Sequence, residues 1–302
     1  MKKKEKKSFH EIMDNETIAG YAFALPFIIG FLAFTLIPIM VSFYYSFTDY
    51  NLINKESIIG FKNYARLFTD ARFLKSVKVT LLFVLTSVPL KLIFALLVAL
   101  LLTRKTKAVT LYRSMYYIPS LIGGSIAVAL AWKELFGRRG LINQLISFIG
   151  MNPVSWFGDQ KMAMVPLVLM AVWQFGSSMI IFAAGLKEIP TTYYEAARID
   201  GASSLRIFRS ITLPCLSPII LYNLVMQTIA GFMTFNSAFV ITRGGPNDAT
   251  NFYSLYVYTT AFKYYDMGYA SAMSWVMLVI ISVVTFLIFK MSKMWVFTES
   301  EG

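Results

Sequence analysis

EAARIDGASSLRIFRSITLP, residues 195–214, is a polar and charged stretch that lies between two hydrophobic runs, each long enough to cross a bilayer. Thr192 and Glu195 have the S/T-x-x-E spacing that caps the start of a helix, so a helix is predicted to begin there. Gly201 stands where a residue in the left-handed conformation would end that helix. A second short helix is predicted over residues 204–213, ended by the proline that follows. Two short helices folded at a glycine make a compact surface that can insert into a partner protein.

This stretch resembles the EAA loop of the membrane subunits of ATP-binding-cassette importers. The matching positions are Glu195, Ala196, Ala197, Asp200, Gly201, Ile211, Leu213 and Pro214. The resemblance implies that residues 187–214 form a cytoplasmic coupling loop onto which a separate ATPase docks. Glu195 is also able to act as a helix cap, and the two roles are compatible.

The composition indicates a membrane protein. The chain has 302 residues, of which 57% are hydrophobic and only 15% are charged, and its mean hydropathy is +0.61. A soluble domain carries about 25% charged residues. A bilayer crossing needs about 20 apolar residues, and the predicted spans cover residues 19–47, 77–102, 115–136, 162–186, 216–242 and 269–289.

The expected fold class is therefore an all-α integral membrane protein with six transmembrane helices, and the resemblance implies the type I ABC importer permease fold. Residues 1–18 are expected to be a basic cytoplasmic tail, and residues 19–302 a single transmembrane permease domain. The first span follows a lysine-rich segment, but it is too long for a signal peptide and no small-residue cleavage pattern follows it. We expect it to remain as a helix.

Positive charge predicts the orientation in the membrane. Residues 104–113 contain four cations in a short segment, whereas the longer segments assigned to the outer face mix their cations with carboxylates. This pattern predicts that both termini and the 187–214 loop are cytoplasmic. The protein is expected in the plasma or inner membrane of the cell.

Several classes of function are excluded by the residues present. The net charge of +12 lies beside membrane spans rather than on a face of interleaved basic and aromatic residues, so lipid headgroups explain it and no nucleic-acid partner is expected. Cys215 is the only cysteine, which excludes an internal disulfide or a cysteine metal cluster. No glycine is followed by lysine, so the phosphate-binding G-x-x-x-x-G-K-[ST] loop is absent. We expect no catalytic residues and no bound metal.

A second resemblance extends over nearly the whole chain. Residues 241–246 (ITRGGP), Tyr256-x-Tyr258 and Ala261-Phe262 look like the T-x-G-G-P…Y-x-Y…A-F pattern of carbohydrate-importer permeases related to the membrane pair of the maltose transporter. Taken alone, the Gly-Gly-Pro segment is equally explained as a chain reversal. One well-known relative has a large outer domain between its early spans. This chain has no counterpart to it, because the corresponding segment, residues 49–75, is too short to form a domain.

The resemblance implies that the chain forms half of a sugar pathway together with a homologous second permease. The implied partners are a cytoplasmic ATPase dimer and an extracytoplasmic sugar-binding protein. This chain is expected to bind no cofactor, since ATP and Mg²⁺ are used by the partner ATPase. The solute is expected to be a sugar or oligosaccharide.

Polar residues within the spans are candidates for the pathway, because such residues usually face a bundle interior or a water-filled cavity. In span five, Asn223, Gln227, Gly231 and Thr234 fall on one helical face. By resemblance, span four adds Trp173, Gln174 and Ser177. The alternative for all of them is helix–helix hydrogen bonding.

Lys91 lies near the middle of span two with no acidic residue on its helix, which leaves a cavity-facing position or a partner in another subunit. An ABC importer of polyamines, iron or phosphate is the alternative within the class. A secondary carrier would need coupling-ion carboxylates in its spans, and the spans contain only Glu134, at an edge.

Overall fold

The computed structural model of the chain describes residues 16–53, 56–102 and 109–297. These residues form helices and turns, and the only strand-like pairing among them is two isolated bridges, Thr48 with Ile58 and Asn51 with Asp266. The predicted all-helical class is confirmed. Residues 1–15 of the predicted basic tail and the cations at residues 104–107 lie outside the described residues.

The helices are numbered here in chain order. They are α1 (Glu16–Phe31, continued through a π turn at Leu32–Leu36 into Ile37–Tyr45), α2 (Lys62–Leu67), α3 (Ala71–Leu101), α4 (Val109–Ile122), α5 (Ile126–Leu135), α6 (Leu141–Phe148), α7 (Met164–Trp173), α8 (Gly176–Glu188), α9 (Thr191–Ile199), α10 (Ser204–Ile207, continued through a π turn at Phe208–Thr212 into Leu213–Phe232), α11 (Ala238–Thr242), α12 (Tyr253–Tyr258, continued by a π turn at Thr259–Lys263) and α13 (Met267–Ser292).

Four of these helices, α1, α3, α10 and α13, are long and apolar enough to cross a membrane without interruption. The predicted spans three and four are each broken into two helices. The pair α4 and α5 is bent by 100°, and the pair α7 and α8 by 41°. The described residues therefore give four uninterrupted spans, and six if each bent pair crosses once. Gly123 and Gly124 separate α4 from α5, and the Ser125 hydroxyl caps the start of α5 by accepting from the Val128 N–H.

Two predictions for the 195–214 stretch are wrong in detail. The Thr192–Glu195 capping box does not form, because Pro190 occupies the N-cap position of α9 with no side-chain cap bond. Glu195 is therefore the fifth residue of the helix rather than the third, since a proline with its fixed φ pre-sets an earlier helix start.

The second helix begins at Ser204 as predicted, with the Ser203 hydroxyl accepting from the Arg206 N–H at 3.4 Å, but it does not end at Pro214. The π turn at Phe208–Thr212 precedes the proline, and Pro214 then lies in the first turn of Leu213–Phe232. A proline is tolerated in a first turn, where its missing N–H has no partner to lose. The short helix and span five are therefore one helix, and this helix ends at Phe232 rather than at Thr242 as predicted.

The core lies around α3, which packs against α7, α8 and α10. Phe83, Leu167, Met179 and Phe182 fill its centre and are at most 2% exposed. Helix α1 is different, because its apolar window has no buried residues in the single chain. It contacts α13, where the Phe43 and Trp275 rings lie 4.8 Å apart. Its apolar surface suits lipid or another subunit, since either removes it from water.

Candidate functional site

Residues 191–214, where α9 meets the start of α10, form what we call the Gly201 corner. Gly201 has φ +71°, and a Cβ there would meet no atom within 4 Å, so backbone conformation rather than space requires the glycine. The Gly201 N–H donates to Arg198 O at 3.0 Å, and the Ala202 N–H donates to Ala197 O at 2.9 Å. These two bonds are the Schellman arrangement that ends a helix at a left-handed residue. The predicted left-handed helix end at Gly201 is confirmed, and its part in ATPase coupling stays a prediction.

The Gly201 corner exposes both charged and apolar side chains. Glu195, Ala196 and Asp200 are exposed, Ala197 and Pro214 are partly buried, and Leu213 is 38% exposed. Two large apolar side chains are also exposed, Ile199 at 87% and Leu205 at 59%.

The two arms of the corner are tied together by one side-chain hydrogen bond, in which the Tyr194 and Thr212 hydroxyl oxygens lie 3.2 Å apart. Within the described residues, no acidic or basic side chain of the corner forms an ion pair. Exposed apolar residues next to unpaired charges are what a protein-binding surface requires.

A cavity of about 270 Å³, which we call the Lys91 cavity, lies where the two broken helix pairs meet. Gly123 permits this meeting, because a Cβ at that position would lie 2.3 Å from the Gln174 side chain. The Ser120 hydroxyl donates to Gln174 O and accepts from the Ser177 N–H, both at 3.0 Å. It thereby satisfies backbone groups that the break between α7 and α8 leaves without helical partners.

The Lys91 cavity brings together four of the seven predicted pathway residues. Gln174, Gln227, Gly231 and Thr234 all line it. Lys91 lines it as well, which confirms the cavity-facing alternative for this lysine. The other polar residues at the wall are Ser87, Asn236 and Ser237. The Asn236 amide donates to Gly124 O at 2.9 Å and so joins the turn after α10 to the bend between α4 and α5.

Sequence reasoning missed Ser87, Asn236 and the paired glycines 123 and 124. A signal was present, because apolar spans interrupted by glycine or proline often mark a binding site in transporters. Pro119, Gly123 and Gly124 interrupt the third apolar run in this way.

Three predicted pathway residues lie elsewhere. Asn223 is 1% exposed and donates to Ile219 O of its own helix at 3.1 Å, so it does not share the cavity with Gln227. Trp173 packs against Trp132, with ring centroids 5.8 Å apart. Ser177 contributes its backbone N–H to Ser120. The prediction that these residues share one face of a single helix is also wrong for Thr234, because Thr234 follows the end of α10.

Gly231 lines the cavity but also permits close packing. A Cβ added there would lie 3.0 Å from Val84 Cγ2 of α3. A larger side chain at this position would therefore meet α3 as well as the cavity space.

At the far end of α10 from the Gly201 corner, a set of polar side chains forms what we call the Asp70 network. Asp70 is the N-cap of α3 and accepts from the N–H groups of Arg72 and Phe73. Its carboxylate also accepts from the hydroxyls of Tyr256 at 2.6 Å and Tyr269 at 2.8 Å. Desolvation raises the pKa of Asp70, but these four hydrogen bonds outweigh it and leave the pKa below its ordinary value.

Two ion pairs extend the Asp70 network. Arg66 binds Asp266 at 2.7 Å, and Arg72 binds Asp248 at 2.9 Å. Arg72 donates to both carboxylate oxygens of Asp248, and also to the Tyr264 hydroxyl at 3.0 Å. The three carboxylates at this end, Asp70, Asp248 and Asp266, are therefore all bound within the chain.

The Gly-Gly-Pro segment is more than a simple reversal. Arg243 and Gly244 both have positive φ, at 52° and 86°. The buried Thr250 hydroxyl lies 2.7 Å from both Thr242 Oγ1 and Gly245 O and so closes the loop on itself. The Lys75 ammonium donates to Asn247 O, which ties the loop to α3.

Long apolar helices, two of them broken around a polar cavity, define a multi-pass membrane protein of the transporter-permease class. The family described as "Binding-protein-dependent transport system inner membrane component" matches residues 66–294, and the chain belongs to this family. Proteins of this family are non-catalytic permease subunits of ABC importers, in which a separate subunit hydrolyses ATP.

Two relatives match nearly the whole chain. The probable ABC transporter permease protein YesP of Bacillus subtilis (strain 168) is 51% identical over 290 residues, which cover 95% of this chain and 94% of YesP. The trehalose/maltose transport system permease protein MalF of Thermococcus litoralis is 36% identical over 256 residues, which cover 84% and 85% of the two chains.

A solved structure has the same fold. It is a chain of a bacterial alginate ABC transporter in complex with an alginate pentasaccharide-bound periplasmic protein. The two chains superpose with a TM-score of 0.80 and 23% identity, over 95% of this chain and 97% of the other.

Proposed function

We propose that the chain is the membrane-spanning subunit of an ATP-driven importer of sugars or oligosaccharides, and that it forms half of the translocation pathway. The Lys91 cavity carries this proposal. Two broken helix pairs surround it, and its wall offers amides and hydroxyls from Gln174, Gln227, Thr234 and Asn236. Such groups both donate and accept hydrogen bonds, as sugar hydroxyls do. The trehalose/maltose permease among the relatives supports the same solute class.

The partners follow from the two ends of the molecule. A homologous second permease completes the pathway, and an extracytoplasmic sugar-binding protein delivers the solute at the Asp70 end. A cytoplasmic ATPase dimer, which uses ATP and Mg²⁺, docks one subunit on the Gly201 corner. The residues proposed for this contact are Glu195, Ala196, Ala197, Asp200, Gly201, Leu213 and Pro214. Both termini are then cytoplasmic, and residues 187–214 act as the coupling loop of a permease domain that spans residues 19–302.

Two of the alternative solutes, polyamines and iron, fit the cavity less well. Polyamines and iron are cations, and Lys91 is the only charged one among the described residues that line the cavity. A like charge in a site of low dielectric disfavours their binding. A secondary carrier needs intramembrane carboxylates, and the described helices around the cavity carry two, Glu134 near the end of α5 and Glu188 as the last residue of α8, neither of which lines the cavity.

The test is sugar uptake by the reconstituted transporter that carries Gln227→Leu. Loss of a neutral hydrogen bond costs about 0.5–1.5 kcal/mol, so uptake at low sugar concentration should fall up to about tenfold. Gln144→Leu is the matched control, because Gln144 is an exposed amide on α6 that does not line the cavity. Gln227→Leu should still co-purify with its partners. Normal uptake by Gln227→Leu, or equal loss in both variants, would contradict the proposal.

A further inference from the structure

The single charge of the Lys91 cavity has no counter-charge among the described residues. Lys91 is partly buried near the middle of α3, and its ammonium has no ion pair or hydrogen bond among the described residues. An ammonium at membrane depth is costly and is usually paired. All the other polar residues that line the cavity are neutral amides and hydroxyls. No described residue supplies the missing negative charge, which points to a partner outside the described part of the chain.

A second cavity repeats this imbalance. It has a volume of about 540 Å³, and we call it the Arg243 cavity. Four cations line it, namely Arg72, Lys133, Arg243 and Lys263, and no carboxylate does. Asp248 pairs with Arg72, but the other three cations form no ion pair within the described residues. A cavity lined by one sign of charge concentrates ligands of the opposite sign.

An aromatic cluster joins the walls of the two cavities. Phe235 lines the Lys91 cavity, whereas Phe239 and Tyr258 line the Arg243 cavity. The Phe235 ring lies 5.0 Å from both Phe239 and Tyr258, and Phe262 extends the cluster from Tyr258 at 5.1 Å. Phe239, Tyr258 and Phe262 are about 40–60% exposed in the single chain. Exposed aromatic rings offer apolar faces on which the carbon–hydrogen face of a sugar ring can stack.

Cations at both cavities and rings between them fit a ligand that is both a sugar and an anion. We propose that the solute is an oligosaccharide that carries carboxylates, that is, one built with uronic-acid residues, and that Lys91 pairs with one of these carboxylates. This inference rests on the proposed sugar function and narrows its substrate. A phosphorylated sugar fits less well, because a phosphate ester carries about −1.5 to −2 charges and Lys91 supplies one.

The test compares acidic and neutral sugars in proteoliposomes that contain the complete transporter and its binding protein. The acidic probes are trigalacturonate and triglucuronate, and the neutral probes are galactotriose and maltotriose. Lys91→Gln keeps hydrogen bonding and removes the charge, and Lys91→Arg keeps the charge. Lys78→Gln is the matched control, since Lys78 is an exposed cation on the same helix that lines neither cavity.

We expect uptake of an acidic probe, a loss of about tenfold or more in Lys91→Gln, at most a few-fold loss in Lys91→Arg, and no change in Lys78→Gln. Lys133→Gln and Lys263→Gln should slow uptake of the acidic probe. They should also reduce the extent to which low salt speeds that uptake. Transport of neutral probes alone, with Lys91→Gln unaffected, would overturn the inference and leave the proposed function standing. Uptake of no sugar from either set would overturn both.

Assembly is measured in the same preparations. If Lys91→Gln separates from the second permease during purification, the ammonium pairs across that interface rather than with solute, and the inference is wrong. If Lys91→Gln assembles normally and loses only acidic uptake, the charge acts on the solute.

Discussion

The two ends of α10 treat their carboxylates in opposite ways. At the Asp70 end, Asp70 accepts four hydrogen bonds, and the pairs Arg66–Asp266 and Arg72–Asp248 are closed within the chain. At the Gly201 corner, about 44 Å away by the rise of a 29-residue helix, the described charges have no ion-pair partner and Ile199 is 87% exposed.

This difference separates a self-contained structure from a surface that needs a partner. The Asp70 network fixes the start of α3 to the loop at residues 243–251, and it does so with side chains of this chain alone. The Gly201 corner is shaped by backbone bonds and leaves its side chains available. Substitutions in the Asp70 network should therefore lower the stability of the permease. Substitutions at the Gly201 corner should instead weaken its assembly with the ATPase.

The largest effect is expected for Gly201→Asp. A non-glycine residue at φ +71° costs about 1–2 kcal/mol, and the added charge lies on the surface proposed to meet the ATPase. We expect uptake to fall to background and the ATPase to be lost during purification, while the permease still inserts and pairs with the second permease.

Gly60 provides the control for this prediction. It has φ +62° and open space around its Cβ position, so Gly60→Asp introduces similar strain far from the corner. It should keep the ATPase. Retention of the ATPase and normal uptake by Gly201→Asp would show that the corner does not couple the two proteins.

A smaller effect is expected at Asp70, and it should appear in stability. Because the folded pKa of Asp70 is lowered, its contribution is present above the unfolded pKa of about 3.9 and is lost as pH falls through the folded pKa. Unfolding temperature, measured from pH 3 to 7, should fall on the acid side in the parent protein. Asp70→Asn should flatten that acid-side fall, and Asp70→Ala should cost about 1 kcal/mol at neutral pH through loss of the cap. Both variants should retain the ATPase during purification. If the unfolding temperature of Asp70→Asn falls at acid pH as much as that of the parent protein, Asp70 is not responsible for the fall.

The sequence predicted those features that depend on local pattern. Long apolar runs predicted the helical membrane class, and Gly201 predicted the left-handed end of α9 because few other residues adopt that conformation. The sequence did not predict the bends at residues 123–125 and 174–175. Hydropathy measures the composition of an apolar run and is insensitive to a break in the helix within that run.

Helical spacing also failed for part of the site. Asn223 and Gln227 are four residues apart, yet only Gln227 reaches the Lys91 cavity, since that cavity lies near the end of α10 and is completed by the broken helices and the turn at Asn236. Tertiary contacts of this kind have no local signature. The closed loop at residues 242–250 was missed for the same reason, as it depends on the Thr250 hydroxyl.

The central claim is that the Gly201 corner faces the cytoplasm and the Asp70 end faces outward, and cysteine labelling in whole cells tests it most directly. In a Cys215→Ser background, single cysteines replace Ser204 at the corner, Asn247 in the loop beside Lys75, and Lys105 in the segment outside the described residues. With a membrane-impermeant thiol reagent, Asn247→Cys should be labelled in intact cells, whereas Ser204→Cys and Lys105→Cys should be labelled only after the cells are opened. Labelling of Ser204→Cys in intact cells, with Asn247→Cys protected, would place the corner outside and contradict its role as the ATPase contact.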